Sequence, residues 1–249
     1  MKKHLLVIAR YQDERQEIFE KFISPKNKDY CRRHNLEYLL VDNSVDLPDF
    51  TRHPSWMKFY LDKKFIKEGY FKEGDLAVHF DADMVVVNPE FEYTTSRSFS
   101  YSIDNGNTHC LGNYCIKVND WSVELVNKIM DEEFFRLNKE SERWKSFWEQ
   151  AAWYSLAGIN GHSWRSFFEL PFYGFNDPDC KANSHYNTYE LMQHVEIKDP
   201  RWNTTLLSEE VDNPVSQMLE QYNINKTPAK ETIIRHFAGG QPWRSEYFG

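Results

Sequence analysis

The stretch that most constrains this chain is Leu76-Ala-Val-His-Phe-Asp-Ala-Asp-Met-Val-Val-Val-Asn-Pro89, an apolar run interrupted by two carboxylates one residue apart. A short apolar segment that ends at a turn signal such as Asn88-Pro89 predicts a buried strand. Side chains on an extended strand alternate between faces, so Asp81 and Asp83 are expected to share one while Ala82 and Met84 turn the other way. Two such carboxylates repel each other and lose hydration unless a cation offsets them, and hard oxygen donors suit Mg²⁺ or Mn²⁺. The plainer alternative for any bare D-x-D is an acidic loop that holds nothing. The apolar strand before the pair and the β-branched run after it favour the metal reading.

What precedes that strand reads as β-α-β. Leu5 to Ala9 is a short apolar run bounded by charge, as expected of a buried parallel strand. Asp13 with Gln16 three residues on predicts a capping box, and Ile18, Phe19, Phe22 and Ile23 recur at helical spacing. Ser24-Pro25 is expected to end that helix and start another through Tyr30 to His34, before a second strand over Glu37 to Val41. Such an opening is Rossmann-like, with its ligand edge at the strand C-termini, where Ala9, Arg10, Tyr11 and Asp42 lie. No G-x-G-x-x-G loop follows strand one, which argues against ordinary dinucleotide binding.

Residues 46 to 55 read as a polar loop, followed by an amphipathic helix from Trp56 to Ile66. Lys58 stands in its first turn, where a cation gains nothing from the helix dipole, so an anionic partner is expected. An ordinary solvated lysine is the alternative. Phe99 to Ile103 and Tyr114 to Val118 are strand-like and flank a polar, Gly-containing connection from Asp104 to Asn113, open to two readings: a carrier of acceptor-binding groups or a plain hairpin loop. Asp120 is the expected N-cap of a helix from Trp121 to about Glu133. A further helix over about Ser141 to Ala157 carries Glu149-Gln150 among aromatics, polar groups that must be satisfied by neighbours or face a cleft. Later segments read as a strand at Phe167 to Phe175, a turn at Asp177-Pro-Asp179 and a strand at His194 to Ile197. Near the C-terminus Ile233-Ile234 run into His236 and then Gly239-Gly240, small residues that let backbone approach a ligand. A lone histidine is more often structural than metal-binding; read with the two aspartates, an imidazole there would fill half an octahedron and leave the rest to water and a diphosphate.

Composition narrows the partners. The net charge of −8 argues against electrostatically driven nucleic-acid binding. The apolar start at Leu5 to Ala9 is too short for a signal-peptide core, and no stretch reaches the roughly 18 apolar residues of a membrane span. Four cysteines without C-x-x-C spacing indicate neither a zinc site nor a disulfide framework, and a reducing, cytoplasmic setting is expected.

In that order, His53-Pro-Ser-Trp-Met-Lys58, Phe80-Asp-Ala-Asp83, Asn119-Asp-Trp-Ser-Val-Glu-Leu125, Glu149-Gln-Ala-Ala152 and His236-Phe-Ala-Gly239 resemble metal-dependent, retaining glycosyltransferases of the GT-A fold. The likeness is to the group of plant xyloglucan xylosyltransferases and fungal galactosyl- and mannosyltransferases of the GMA/MNN type. It implies an α/β fold with a Rossmann-like nucleotide-binding half, a mixed central sheet and helices on both faces. Residues 1–249 would then be a single domain, about 1–88 binding the nucleotide sugar and about 89–249 binding the acceptor and closing the metal site. The resemblance implies Asp81, Asp83 and His236 as ligands of Mn²⁺ or Mg²⁺, and Glu149 and Gln150 beneath the anomeric carbon. It places Lys58 and Gly239 at the nucleotide sugar; Ala9, Arg10, Tyr11, Asp42, Ala82, Gln241 and Arg244 are the further donor-binding candidates, with a UDP-sugar favoured over a GDP-sugar and a glycan or other hydroxyl as acceptor. The chain departs from this pattern at Trp148-Glu149-Gln150, where relatives often have an acidic pair before the glutamine, and at Gln241, where they often have lysine. A catalytically silent sugar-binding homologue and a sugar nucleotidyltransferase are the alternatives, the latter lacking its usual Gly-rich loop after strand one.

Overall fold

The computed structural model describes residues 1–104, 109–131, 148–159, 185–205 and 231–237. Its first strand, β1 (Lys3–Ala9), leads into α1 (Glu14–Ile18), a π-helical turn over Phe19–Ile23 and α2 (Ser24–His34). The helix is therefore not broken at Ser24-Pro25. A proline lacks an N–H and its ring meets the carbonyl four residues back, and the wider π turn just before Pro25 relieves that conflict. The expected Asp13–Gln16 capping box is also replaced: Asp13 caps Arg15 N and grips the Arg15 guanidinium, while the Gln16 amide donates to Glu20.

After β2 (Glu37–Asp42), a 3₁₀ turn at Pro54–Trp56 introduces α3 (Met57–Lys67). β3 (Leu76–Asp81) and β4 (Met84–Val86) follow, then β5 (Phe99–Ile103) and β6 (His109–Lys117). β6 begins five residues before the expected Tyr114, because His109 and Cys110 pair with Ile103 and Ser102 across a bulge at Tyr101/Ser102. α4 (Asp120–Ile129) is capped by Asn119 in a reciprocal box with Ser122, one residue earlier than the sequence suggested. α5 (Trp148–Ala157), α6 (Thr188–His194), β7 (Val195–Lys198), a 3₁₀ turn at Pro200–Trp202, β8 (Thr204–Thr205) and β9 (Ile234–His236) complete the described elements. The strand expected at Phe167 to Phe175, the turn at Asp177-Pro-Asp179, and the beginning of the helix expected from Ser141 lie outside the described residues.

The main sheet runs β2-β1-β3-β6-β5-β7 and is mixed: β1 pairs in parallel with β2 and β3, and β6 is antiparallel to β3 and β5. Alternation sorts its side chains. Leu5, Val7 and Ala9 with Val78 and Phe80 pack towards α1 and α2, while Leu6 packs with Met57 and Leu61 of α3 on the other face. The far half of the sheet buries Phe99, Tyr101 and Tyr114 against Trp153 and Leu156 of α5 and Leu125 of α4. A second, three-stranded sheet runs β4-β9-β8. No described helix is long and apolar enough to cross a membrane.

Candidate active site

The two sheets part at the D-x-D. β3 ends on Asp81 in the main sheet, Ala82 and Asp83 form a turn, and Met84 starts β4 in the small sheet. The aspartates therefore do not share one face of a single strand; a turn between sheets brings them together. β9 then pairs antiparallel with β4 so that His236 faces Met84, and Phe237 N donates to Asp83 O at 3.0 Å. This register carries an imidazole from the far end of the chain to the acidic pair. Asp81, Asp83 and His236 each offer one ligand atom, all within 4.8 Å of one another.

The donor set fits a hard divalent cation. Metal–oxygen bonds of about 2.1 Å in an octahedron put ligand atoms about 3 to 4.2 Å apart, close to the observed spread. Asp83 Oδ1 is buried, has no hydrogen-bond partner and lies 3.4 Å from His236 Nε2. His236 Nδ1 donates to Asn203 Oδ1 at 2.7 Å, which leaves Nε2 facing the aspartates as a free lone pair when the ring is neutral. Without a cation the same groups form an ion pair. Burial alone would lower the His236 pKa, but the Asp83 carboxylate raises it well above 6.5; burial alone would raise Asp83, but His236 holds it low. Asp81 is pushed up by burial and by Asp83, with Lys58 opposing.

Lys58 is not solvated. Its ammonium is buried and bridges Asp81 Oδ1 at 3.1 Å, Glu149 Oε1 at 3.0 Å and the Leu111 carbonyl at 2.6 Å. Burial raises the Glu149 pKa and Lys58 opposes the rise; Glu149 Oε2 has no hydrogen-bond partner. Gln150 is clamped at both ends: Oε1 accepts from Leu111 N at 2.8 Å and Nε2 donates to the Tyr154 hydroxyl at 2.8 Å, which in turn donates to the His109 carbonyl. Beneath Lys58 a closed network fastens α3 to the sheet, with His79 and Tyr114 both donating to the fully buried Asp62 at 2.7 and 2.9 Å.

These groups open on one cavity of about 780 Å³. Arg10, Tyr11, Lys58, Asp81, Ala82, Asp83, Glu149, Gln150 and His236 all line it. Ala9 does not, being fully buried in the core, and neither does Asp42, which accepts from Ser44 N and Oγ while its neighbour Asn43 faces the cavity. Gly239, Gln241 and Arg244 lie outside the described residues.

Three neighbours of the site escaped sequence reasoning. Gly112 packs so tightly that a Cβ there would stand 2.8 Å from His236 Cε1 and 3.3 Å from Asp81 Oδ2. A glycine inside a strand pattern is a known mark of such close approach. Asn203 follows a 3₁₀ turn far away in sequence and gave no signal, and Cys110 lay in what read as a loop.

This architecture, a Rossmann-like half extended by an antiparallel β6 and a small sheet at the D-x-D, is the GT-A fold, and its likeness to solved structures is one of fold. Two solved structures carry the comparison. One is a glycosyltransferase involved in glycosylation of the major capsid of PBCV-1, with TM-score 0.50 and 10% identity over 95% of this chain and 93% of that one. The other is the glycosyltransferase GlyE of Streptococcus pneumoniae TIGR4, with TM-score 0.51 and 12% identity over 98% of this chain and 57% of that one. No family model matches the sequence, and no curated protein does.

Proposed function

We propose that this chain is a metal-dependent glycosyltransferase that moves a sugar from a nucleoside-diphosphate sugar to an acceptor hydroxyl with retention of configuration. The observation that carries the reading is the Asp81, Asp83 and His236 cluster opening, within a GT-A fold, on the same cavity as Lys58, Glu149 and Gln150. Asp81, Asp83 and His236 would hold Mn²⁺ or Mg²⁺, which when bound supplies Lewis-acid stabilisation of the departing diphosphate. In this reading residues 1–88 bind the donor, and residues 89–249 bind the acceptor and contribute the last metal ligand.

The rest falls to the chain's own groups. Lys58 holds Asp81 by Oδ1, leaving Oδ2 for the metal side of the carboxylate, and sets positive charge next to the leaving group. Glu149 is the cavity carboxylate outside the Asp81–Asp83 pair: one oxygen is anchored on Lys58 and the other has no hydrogen-bond partner, ready to offset positive charge developing on the sugar. Gln150, fixed by Leu111 and Tyr154, is a rigid wall beside it. Arg10 and Tyr11 line the same cavity and are the groups offered to a donor base and ribose, and a UDP-sugar is the favoured donor.

The test is nucleoside-diphosphate release from a panel of UDP- and GDP-sugars by the full chain, with Mn²⁺ and with chelator. Release that needs Mn²⁺ and falls by at least about 100-fold in Asp83→Ala supports the reading. Binding without release from any donor would make the chain a sugar-binding protein instead.

A further inference from the structure

Asp62, His79 and Tyr114 take no part in the chemistry above: all three are buried, and none lines the cavity. Removing polar groups from water is costly, and an apolar trio of similar volume would pack there at less cost. What the polar trio adds is a defined register between α3 and the sheet. Lys58 and Asp62 stand one turn apart on α3 and share a face. His79 and Asp81 stand two residues apart on β3 and share a face as well. Helix and strand are therefore joined by two rungs, Lys58 Nζ to Asp81 Oδ1 at 3.1 Å and His79 Nε2 to Asp62 Oδ1 at 2.7 Å. The order of the partners is reversed between them, with the acid on the strand in the first rung and on the helix in the second. Sliding α3 by one turn, about 5.4 Å, would set Asp62 against Asp81 or Lys58 against His79, and neither pairs Asp81 with a cation.

Tyr114 ties the two rungs together. It is the partner of His79 in the β3–β6 register, its ring stacks on the imidazole at 4.3 Å, and its hydroxyl donates to Asp62 Oδ2 at 2.9 Å. Both oxygens of Asp62 are thereby used. The Tyr114 ring also lies 5.9 Å from Lys58 Nζ, within the range of a cation–π contact. The same strand supplies the Leu111 carbonyl that holds this ammonium at 2.6 Å. Asp62 thus reaches Lys58 by two routes, along α3 and through the Tyr114 ring.

Resting on the reading of Lys58 as the positive charge beside the departing diphosphate, we propose that Asp62 is a positioning residue for Lys58. Through His79 and Tyr114 it fixes the height and rotation of α3 over the sheet, and so where the ammonium stands relative to Asp81, Glu149 and the donor. Asp62 contributes to nucleotide binding without touching the nucleotide.

A double-mutant cycle separates positioning from plain stabilisation. Asp62→Asn and Tyr114→Phe are each made in the wild-type and Lys58→Met backgrounds of the full chain. Affinity for UDP, or for GDP if it binds tighter, is measured by calorimetric titration at saturating Mn²⁺, and Tm is measured without metal. The proton–nitrogen spectrum of the lysine ammonium groups is recorded as well, with Lys58 identified by its loss in Lys58→Met. Both substitutions should weaken nucleotide binding by at least about 3-fold in the wild-type background, as coupling between residues of one network allows, and by less than about 1.5-fold where Lys58 is already gone. The Lys58 resonance should shift or vanish in both single variants, and Tm should fall in both backgrounds. Tyr114→Phe removes only a hydroxyl and keeps the test running if Asp62→Asn does not fold. A lowered Tm with unchanged nucleotide affinity or an unmoved Lys58 resonance would leave the trio a stabilising network and overturn the proposal, as would equal losses of affinity in the two backgrounds. A Lys58→Met variant that binds nucleotide as wild type does, or a wild type that binds neither nucleotide, overturns the reading of the site itself and the proposal with it.

Discussion

Replacing Lys58 with methionine isolates the electrostatics of the site. The side chain keeps nearly its length, so what disappears is one buried ammonium bonded to Asp81 at 3.1 Å and Glu149 at 3.0 Å. Removing one partner of a buried ion pair costs about 3 to 5 kcal/mol, because the remaining charge is left uncompensated. Glu149 is 7% exposed and brings the full effect, whereas Asp81 is 40% exposed and water screens part of its share. The expected loss at pH 7 is therefore about 3 kcal/mol, or about 6 to 12 °C in Tm for a chain of this size. The pH dependence follows in sign. Without Lys58 the Glu149 and Asp81 carboxyls, already raised by burial, rise further, so the folded variant takes up protons before the unfolded chain does. Where the folded state binds more protons, stability increases as pH falls, so the gap to wild type should narrow between pH 7 and pH 5. Urea denaturation of both proteins at the two pH values, without added metal, makes the measurement. A gap under about 0.5 kcal/mol at pH 7, or one equal at both pH values, would refute the reasoning.

Other substitutions probe neighbouring parts of the account. Gly112→Ala sets a methyl 2.8 Å from both His236 Cε1 and the buried Met84 Cε, so it should cost about 1 to 3 kcal/mol in metal-free stability and weaken Mn²⁺ binding. Unchanged calorimetric titration would show that His236 moves aside freely. Asn203→Ala frees His236 Nδ1, and Mn²⁺ affinity should drop about 10- to 100-fold with little change in the circular dichroism spectrum. His109 is held neutral by burial, its pKa pushed down from 6.5 to about 4. Between those values the unfolded chain binds a proton that the folded chain refuses. Wild type should thus lose about 3 kcal/mol relative to His109→Gln on going from pH 7 to pH 4, a difference that parallel denaturation curves would reveal or exclude.

The elements legible in the sequence were those whose signal is local. β1, β2, β3 and β5 were each marked by apolar runs, and the expected chain of β-α-β units formed. Where tertiary pairing overrode local pattern the reading failed: β6 extends back to His109 because that polar-looking segment pairs with β5, and Pro25 sits inside a helix that a π turn accommodates. At the site, residue types sufficed to single out Asp81, Asp83 and His236, but the reason they meet was misjudged, since a turn between two sheets and not a strand pleat brings the aspartates together. Lys58 was rightly expected to meet an anion. Its partners in the structure are carboxylates of the chain itself. Asn203 was invisible because its contact to His236 spans 33 residues, and no local pattern encodes a contact of that separation.

The most direct test of the central claim is the anomalous scattering of manganese in crystals of the full chain grown with Mn²⁺ and UDP. The account predicts a single strong peak bonded to Asp81, Asp83 and His236 Nε2 with diphosphate oxygens completing its shell. Manganese bound elsewhere, with His236 still paired to Asp83, would contradict it.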